Sequence, residues 1–143
     1  MADLTLPEEV RRELIRWTAA CVERLLPLFE ADRAVDPRLA AALDGARQFA
    51  TGHLNVGPMR KLAFGCHAAA REATTIPATA VARAFGQAVA VAHMAGHSRE
   101  ISRDTSNALA GEALTQELQW QRTHLPARFR EYVYGNAVER CVR

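Results

Sequence analysis

Residues 74–93 read TTIPATAVARAFGQAVAVAH, and the fold follows from how this stretch is read. Thr74-Thr75-Ile76-Pro77 interrupts one helix and opens another, because proline fits a first helical turn, where its missing N–H would be unpaired anyway. Val81, Phe85, Ala88 or Val89, and Ala92 then recur at helical spacing. Ala82, Ala84 and Ala90 stand between them, and alanine joins the highest helix propensity to a small side chain. The segment before, opened by Gly57-Pro58, puts Met59, Leu62, Cys66, Ala69 and Ala73 on one face. These two Ala-rich helices, near residues 58–74 and 78–94, are expected at the centre of the molecule, with Phe64 and Phe85 supplying bulk.

The same punctuation continues on both sides. Thr5-Leu6-Pro7-Glu8-Glu9 opens a first helix with acidic residues in the turn that the helix dipole favours. Val10, Leu14, Trp17, Cys21 and Leu25 form its apolar stripe, and Pro27 is expected to end or kink it. Asp36-Pro37 pairs an N-cap carboxylate with proline at the first helical position. That second helix carries Leu39, Leu43, Ala46 and Ala50 and stops near Gly52. Ala95-Gly96 reads as the stop of the fourth helix, and a fifth follows around Ile101, Thr105, Ala108 and Leu109. Gly111 leaves a break or a continuation open before Leu114, Leu118 and Gln121. Leu125-Pro126 then restarts the chain, with Phe129, Tyr132 and Val133 on one side. No stretch alternates apolar and polar residues as a strand does. The reading is all-α: a single compact antiparallel helical bundle of about six or seven helices. One domain covers residues 1–143, with a core over about 5–134 and a tail over 135–143.

With 49% hydrophobic and 24% charged residues, the chain is of neither disordered nor membrane type. Its formal net charge of +2 calls for no nucleic-acid and no membrane partner. Lys61 is the only lysine, and the other basic residues are arginines. Cys21, Cys66 and Cys141 are odd in number, lack a C-x-x-C and match no structural zinc spacing, which predicts reduced thiols. The opening MADLTLPEEV has no basic and no apolar signal region, so a cytoplasmic location is expected. The basic stretch from Arg122 to Arg143, with Phe129, Tyr132 and Tyr134, reads as a solvated helix face.

Histidine supplies the one suggestive constellation. His93 and His97 are four apart, which on one continuous helix puts both imidazoles on the same face. With His67 they make a candidate three-histidine metal site, to which Glu100 or Asp104 could add a ligand. Gly96 stands between the pair where the helix is expected to end, and the H-E-x-x-H glutamate is missing, so structural histidines are favoured. Cys66-His67 are adjacent, and neighbouring helical residues point about a hundred degrees apart, which opposes a dyad. There is no G-x-S-x-G and no phosphate-cradling glycine motif. No catalytic residue and no cofactor is assigned.

Several motifs together resemble a known family. They are Trp17 to Glu30, Asp36-Pro37-Arg38, Ala46-Arg47-Gln48-Phe49, Cys66-His67 to Arg71, Ala82 to His97, Trp120-Gln121-Arg122 and Leu125-Pro126. In order and spacing they are similar to the small bacterial Imm-5-like immunity proteins, from about Trp17 to Pro126. Members read AH-AAR and GHAAATAH in the middle; here Gly86-Gln87 replaces the Gly-His pair, while the final histidines are kept. The resemblance implies an all-α domain that neutralises a co-encoded toxin by binding it, and it carries no catalytic residues. The family-like motifs concentrate Trp17, Arg47, His67, Arg71, His93 and Trp120 between Ala-rich stretches. These six are expected in one neighbourhood, as a binding or structural polar cluster with Glu23, Glu30 or Asp36 as counter-charges.

The leading expectation is therefore a non-enzymatic protein whose partner is a cognate protein toxin. One alternative is a metal-dependent enzyme distantly similar to DinB-like bundles, using His67, His93 and His97. Another is a structural or regulatory helical partner, and a homodimer through Ala-rich faces stays open.

Overall fold

A computed structural model describes residues 4–33 and 36–135. Cys141 and most of the proposed tail lie outside the described residues. The helices are α1 (Glu8–Glu30), α2 (Pro37–Ala50), α3 (Val56–Glu72), α4 (Ile76–Ala90), α5 (Ile101–Ala108), α6 (Gly111–His124) and α7 (Arg130–Tyr134). Short 3-10 helices occupy Ala95–Glu100 and Ala127–Phe129, and no strand occurs among the described residues.

Helix starts fall where the prolines and their neighbours put them. The Asp36 carboxylate accepts from the Arg38 backbone N–H, and Pro37 takes the first position of α2. Thr75 caps α4 by accepting from the Ala78 N–H at 3.2 Å, with Pro77 in the first turn. Gly52 leaves α2 at φ 82, and Gly111 sits at φ 60. These are left-handed conformations that glycine adopts without steric cost. The question at Gly111 is thereby answered: the chain breaks there, and α6 begins.

α4 is the centre. It packs against α1, α2, α3 and α5, and Phe85, Val81 and Ala88 on it are fully buried. Its buried alanines at 78, 80, 82, 84, 88 and 90 let neighbouring backbones approach closely, and dispersion contacts accumulate across that short distance. Leu14, Ile15, Leu25 and Phe29 of α1 and Leu39 and Phe49 of α2 complete the core.

Four expectations need correction. Phe64 is 71% exposed and contributes nothing to the core, because Met59, Ala63, Cys66 and Ala70 set the buried face of α3 and Phe64 lies a hundred degrees from Ala63. α3 therefore flanks the centre, which α4 holds. Pro27 does not end α1, which runs on to Glu30. Only the Glu23 carbonyl loses its helical donor, and buried Leu25 and Phe29 hold the last turns down. Finally, α4 stops at Ala90, ahead of Ala95-Gly96, and Leu114 and Leu118 of α6 are only half-buried.

Replacing Phe85 with Ala should cost about 3–5 kcal/mol, since it combines lost burial with a cavity that closely packed helices cannot close. Urea denaturation measures it, and a loss under about 0.5 kcal/mol would remove α4 from the centre.

Candidate functional site

Beyond Ala90 the chain turns, and what holds the turn also shapes the site. The Arg11 guanidinium, on a residue only 9% exposed, donates from Nε to the Ala92 carbonyl at 2.9 Å and from Nη1 to the Leu6 carbonyl at 2.6 Å. Thr18 Oγ1 donates to the Ala88 carbonyl at 3.2 Å. Carbonyls at a helix C-terminus lack helical donors and carry partial negative charge, so a buried cation is favoured there. The Gly96 N–H donates to the Leu4 carbonyl at 2.8 Å, and a Cβ at Gly96 would stand 2.9 Å from Leu4 Cδ2. The N-terminal segment thus crosses the chain just past α4.

The turn carries His93 and His97 to face α3. A cleft of about 310 Å³ is lined by Arg60, Ala63, Phe64, His67, Ala90, His93 and His97. The His93 and His97 rings are 5.2 Å apart with their planes at 68°. His97 Nδ1 shares a hydrogen bond with Gln87 Oε1 at 2.7 Å, while His93 Nδ1 is buried without a hydrogen-bond partner. A Cβ at Gly86 would stand 2.6 Å from His67 Cε1, so the missing side chain is what lets the His67 ring lie against α4.

All three imidazoles titrate below the ordinary 6.5. Burial is the main cause in each, joined at His67 by Arg71 and Arg83 and at His93 by His97, Arg60 and Arg11. At His97 burial outweighs the opposing pull of Glu100, and His67 adds to the lowering. The folded site therefore holds neutral rings at neutral pH. Burial also pushes the Cys66 thiol up to about 12 and raises that of Cys21, so neither is a thiolate nucleophile.

Of the six residues expected together, the structure brings His67 and His93 into one cleft, with Arg71 one turn further along α3. The others have different surroundings. Trp17 is buried on α1, donates Nε1–H to the Gln121 carbonyl at 2.8 Å and meets Tyr134 edge-on. Trp120 stacks on His124, with Arg24 4.1 Å above its ring. Arg47 pairs with Glu23 at 2.6 Å on the surface. Asp36 serves Arg38, and no described hydrogen bond or ion pair links it to the cleft. The i, i+4 geometry of the metal alternative is absent, because Met94 is extended between the two histidines. No group of three or more His, Cys, Asp or Glu among the described residues could hold a metal ion.

Sequence reading missed Arg60, Phe64, Arg83 and Gln87. The signal was present for two of them: Arg60, Phe64, His67 and Arg71 recur at helical spacing and share one face of α3. Asp104, expected only as a possible extra ligand of the metal alternative, lies outside the cleft: it is 3% exposed, has a buried Oδ2 without a partner, and lines a cavity of about 340 Å³ with Arg83, Thr75 and Asn107. Burial raises its carboxyl to about 6, with Glu100 adding and Arg103 and Arg83 opposing.

These features define an all-α protein with a shallow cationic and aromatic cleft, whose only described thiols are buried and protonated. The chain belongs to the family described as Imm-5 like putative immunity protein, whose model matches residues 4–128 of the 143. No curated protein and no solved structure matches it. Among the described residues no helix is long and apolar enough to cross a membrane.

Gly86→Ala gains about 1 kcal/mol of helix propensity and loses a similar amount by crowding the His67 ring. Stability should change little, while the His67 Cε1–H resonance moves as the ring swings out. An unmoved resonance would show that the ring does not depend on Gly86. Asp104 tests the electrostatics. Its raised pKa means a charged carboxylate destabilises the fold above about pH 6, a penalty relieved as the folded state takes up a proton between about pH 6 and pH 4. Asp104→Asn should therefore stabilise by on the order of 2 kcal/mol at about pH 8, and the gain should shrink toward about pH 4. Urea denaturation at both pH values decides, and an equal gain at both contradicts a buried charge.

Proposed function

We propose that this chain neutralises a cognate bacterial toxin by binding it directly, without catalysis of its own, and that the outer face of α3 beside the histidine cleft makes the contact. Family membership supplies the immunity role. The observation that carries the contact surface is Phe64, 71% exposed between Arg60 and His67. An aromatic ring held in water gains nothing for the fold, and such side chains next to arginine are the usual anchors of protein interfaces. The cleft beside it offers a recess that a partner side chain can fill, and its imidazoles are neutral, with His97 held by Gln87. Because toxin and immunity protein meet inside the producing cell, a cytoplasmic location accompanies this reading.

The test uses the protein encoded beside this gene. Calorimetric titration should show tight binding to the wild type and a loss of about 1–3 kcal/mol for Phe64→Ala. The melting curve of that variant should shift by no more than about 0.5 kcal/mol in stability, since no core contact is removed. Unchanged affinity would take Phe64, and with it the α3 face, out of the interface.

A further inference from the structure

Seven of the described arginines have their charge matched by a carboxylate, Arg11 among them at 3.9 Å from Glu8. Arg12 pairs with Glu8, Arg24 with Glu117, Arg47 with Glu23, and Arg103 with Glu100, while Arg38 lies between Asp36 and Glu72. Arg128 pairs with Glu13. Arg16, Arg33, Arg99, Arg122 and Arg130 make no ion pair among the described residues, and around the cleft such cations gather on one face. Arg60, Lys61, Arg71 and Arg83 are exposed, and among the described residues none of them makes an ion pair. Arg60 lines the cleft, and Arg71 and Arg83 act on His67 from α3 and α4, Arg83 also lining the Asp104 cavity. Arg11 of α1 adds its charge from beneath His93, and the one carboxylate facing the rings, Glu100, is already held by Arg103 at 2.7 Å.

We propose that this face receives an acidic segment of the partner, with one carboxylate entering the cleft between Arg60 and the rings of His67, His93 and His97. The inference rests on the toxin-binding reading above and specifies the chemistry of the partner's contact. Three observations carry it. The first is the unmatched cations, which favour a negative charge where the rings themselves stay neutral. The second is the cleft wall: Ala63, Ala90 and the Phe64 ring suit the methylene stem of a glutamate and an apolar residue beside it, and buried His93 Nδ1 still lacks a hydrogen bond. The third is length. From Arg60 to Arg71 the face runs eleven residues, about 16 Å along the helix, which exceeds a small carboxylic acid and fits an extended peptide. The depressed imidazole titration agrees, since cations that disfavour an imidazolium also attract a carboxylate.

Two experiments decide. The first titrates the full chain with acetyl-Leu-Glu-amide, acetyl-Leu-Gln-amide, sodium acetate and zinc chloride, following the histidine ring signals by NMR. The expected result is a saturable shift of the His67, His93 and His97 signals with the glutamate peptide. It should weaken at least about fivefold with the glutamine peptide, with acetate and in Arg60→Gln. Equal response to the glutamine peptide, equal response to acetate, or zinc retained through dialysis would each overturn the proposal. The second measures toxin binding by the double variant Arg60→Glu/Arg71→Glu, which alters two exposed side chains and whose fold is checked by its melting curve. Affinity should fall at least about tenfold, and the loss should shrink with added salt. A toxin held equally by both chains overturns the acidic contact and leaves the immunity reading standing. A toxin bound by neither chain overturns that reading, and the inference with it.

Discussion

The structure depends on how α4 is brought to an end inside the molecule. A helix that is buried over most of its surface cannot leave its last carbonyls unpaired, because each would cost the desolvation of a polar group with nothing in return. The Val89 and Ala90 carbonyls accept from the backbone N–H groups of Ala92, His93 and Met94. Thr18 donates to Ala88, and Arg11 meets the same requirement at Ala92 in the turn just beyond α4. Thr18 and Arg11 are both on α1, so the packing of α1 against α4 and the termination of α4 are one arrangement. The same guanidinium holds the Leu6 carbonyl, on a residue at φ 56, and so fixes the N-terminal segment across the exit of the helix. With the exit fixed, the chain can turn only toward α3. His93 and His97 then come opposite His67, and Gly86 leaves the room for that ring.

Charge is distributed by the same logic of satisfaction. Carboxylates stand against Arg12 and Arg24 of α1 and Arg38 and Arg47 of α2, where each exposed pair contributes little to stability but removes an unmatched charge. The cleft departs from this pattern, as do the two functional-looking side chains that gain nothing from the fold, Phe64 and the Nδ1 of His93. Such exceptions also occur singly elsewhere, at exposed Ile76 and at Gln121 Oε1, but around the cleft an exposed ring, an unpartnered imidazole nitrogen and unpaired cations adjoin one another. Asp104 is a separate exception. Its cavity lies between the α3–α4 junction and α5, and its carboxyl resists charge where the three imidazoles also do, so pH acts on the two sites with opposite sign. Below about 6.5 the unfolded chain gains protons on histidines that the fold keeps neutral, which weakens the fold. Asp104 acts in the other direction between about pH 6 and pH 4.

Much of the fold was legible because helix starts are written in local chemistry. Asp36-Pro37 and Thr75 with Pro77 need only their own neighbours to cap a helix, and the alanines of α4 announce a close-packed centre. What was not legible depended on partners. Phe64 looked like core because size and hydrophobicity were read without the helix face, which Met59, Ala63 and Cys66 define. Pro27 read equally as a stop or a kink, because the burial of Phe29 that carries the helix past it cannot be seen in one dimension. The buried polar link from Trp17 to the Gln121 carbonyl, and from Gln121 Nε2 to Thr105 at 2.8 Å, joins α1, α6 and α5 through residues that individually read as ordinary apolar or polar stripe positions. The candidate site was half legible for the same reason. His67, His93 and His97 stood out by residue type, while their role depends on a turn beyond Ala90 that Arg11, Thr18 and backbone hydrogen bonds to Val89 and Ala90 hold.

That turn also bears on why a metal reading and a binding reading diverge from the same three residues. A metal centre needs its ligands held on rigid elements with lone pairs converging on one point, and two histidines four apart on an unbroken helix supply this cheaply. Here the helix ends first, so His93 and His97 reach the cleft from a turn and a 3-10 helix, with their rings near perpendicular. His97 is further committed through Nδ1 to Gln87. The surrounding cations work in the same direction. Arg60, Arg71, Arg83 and Arg11 repel a divalent cation as surely as they attract a carboxylate, and the nearest acid is already paired. Geometry and charge thus lead to one consequence, a recess built of neutral rings in a positive field, for which an anionic side chain with an apolar stem is the complementary group.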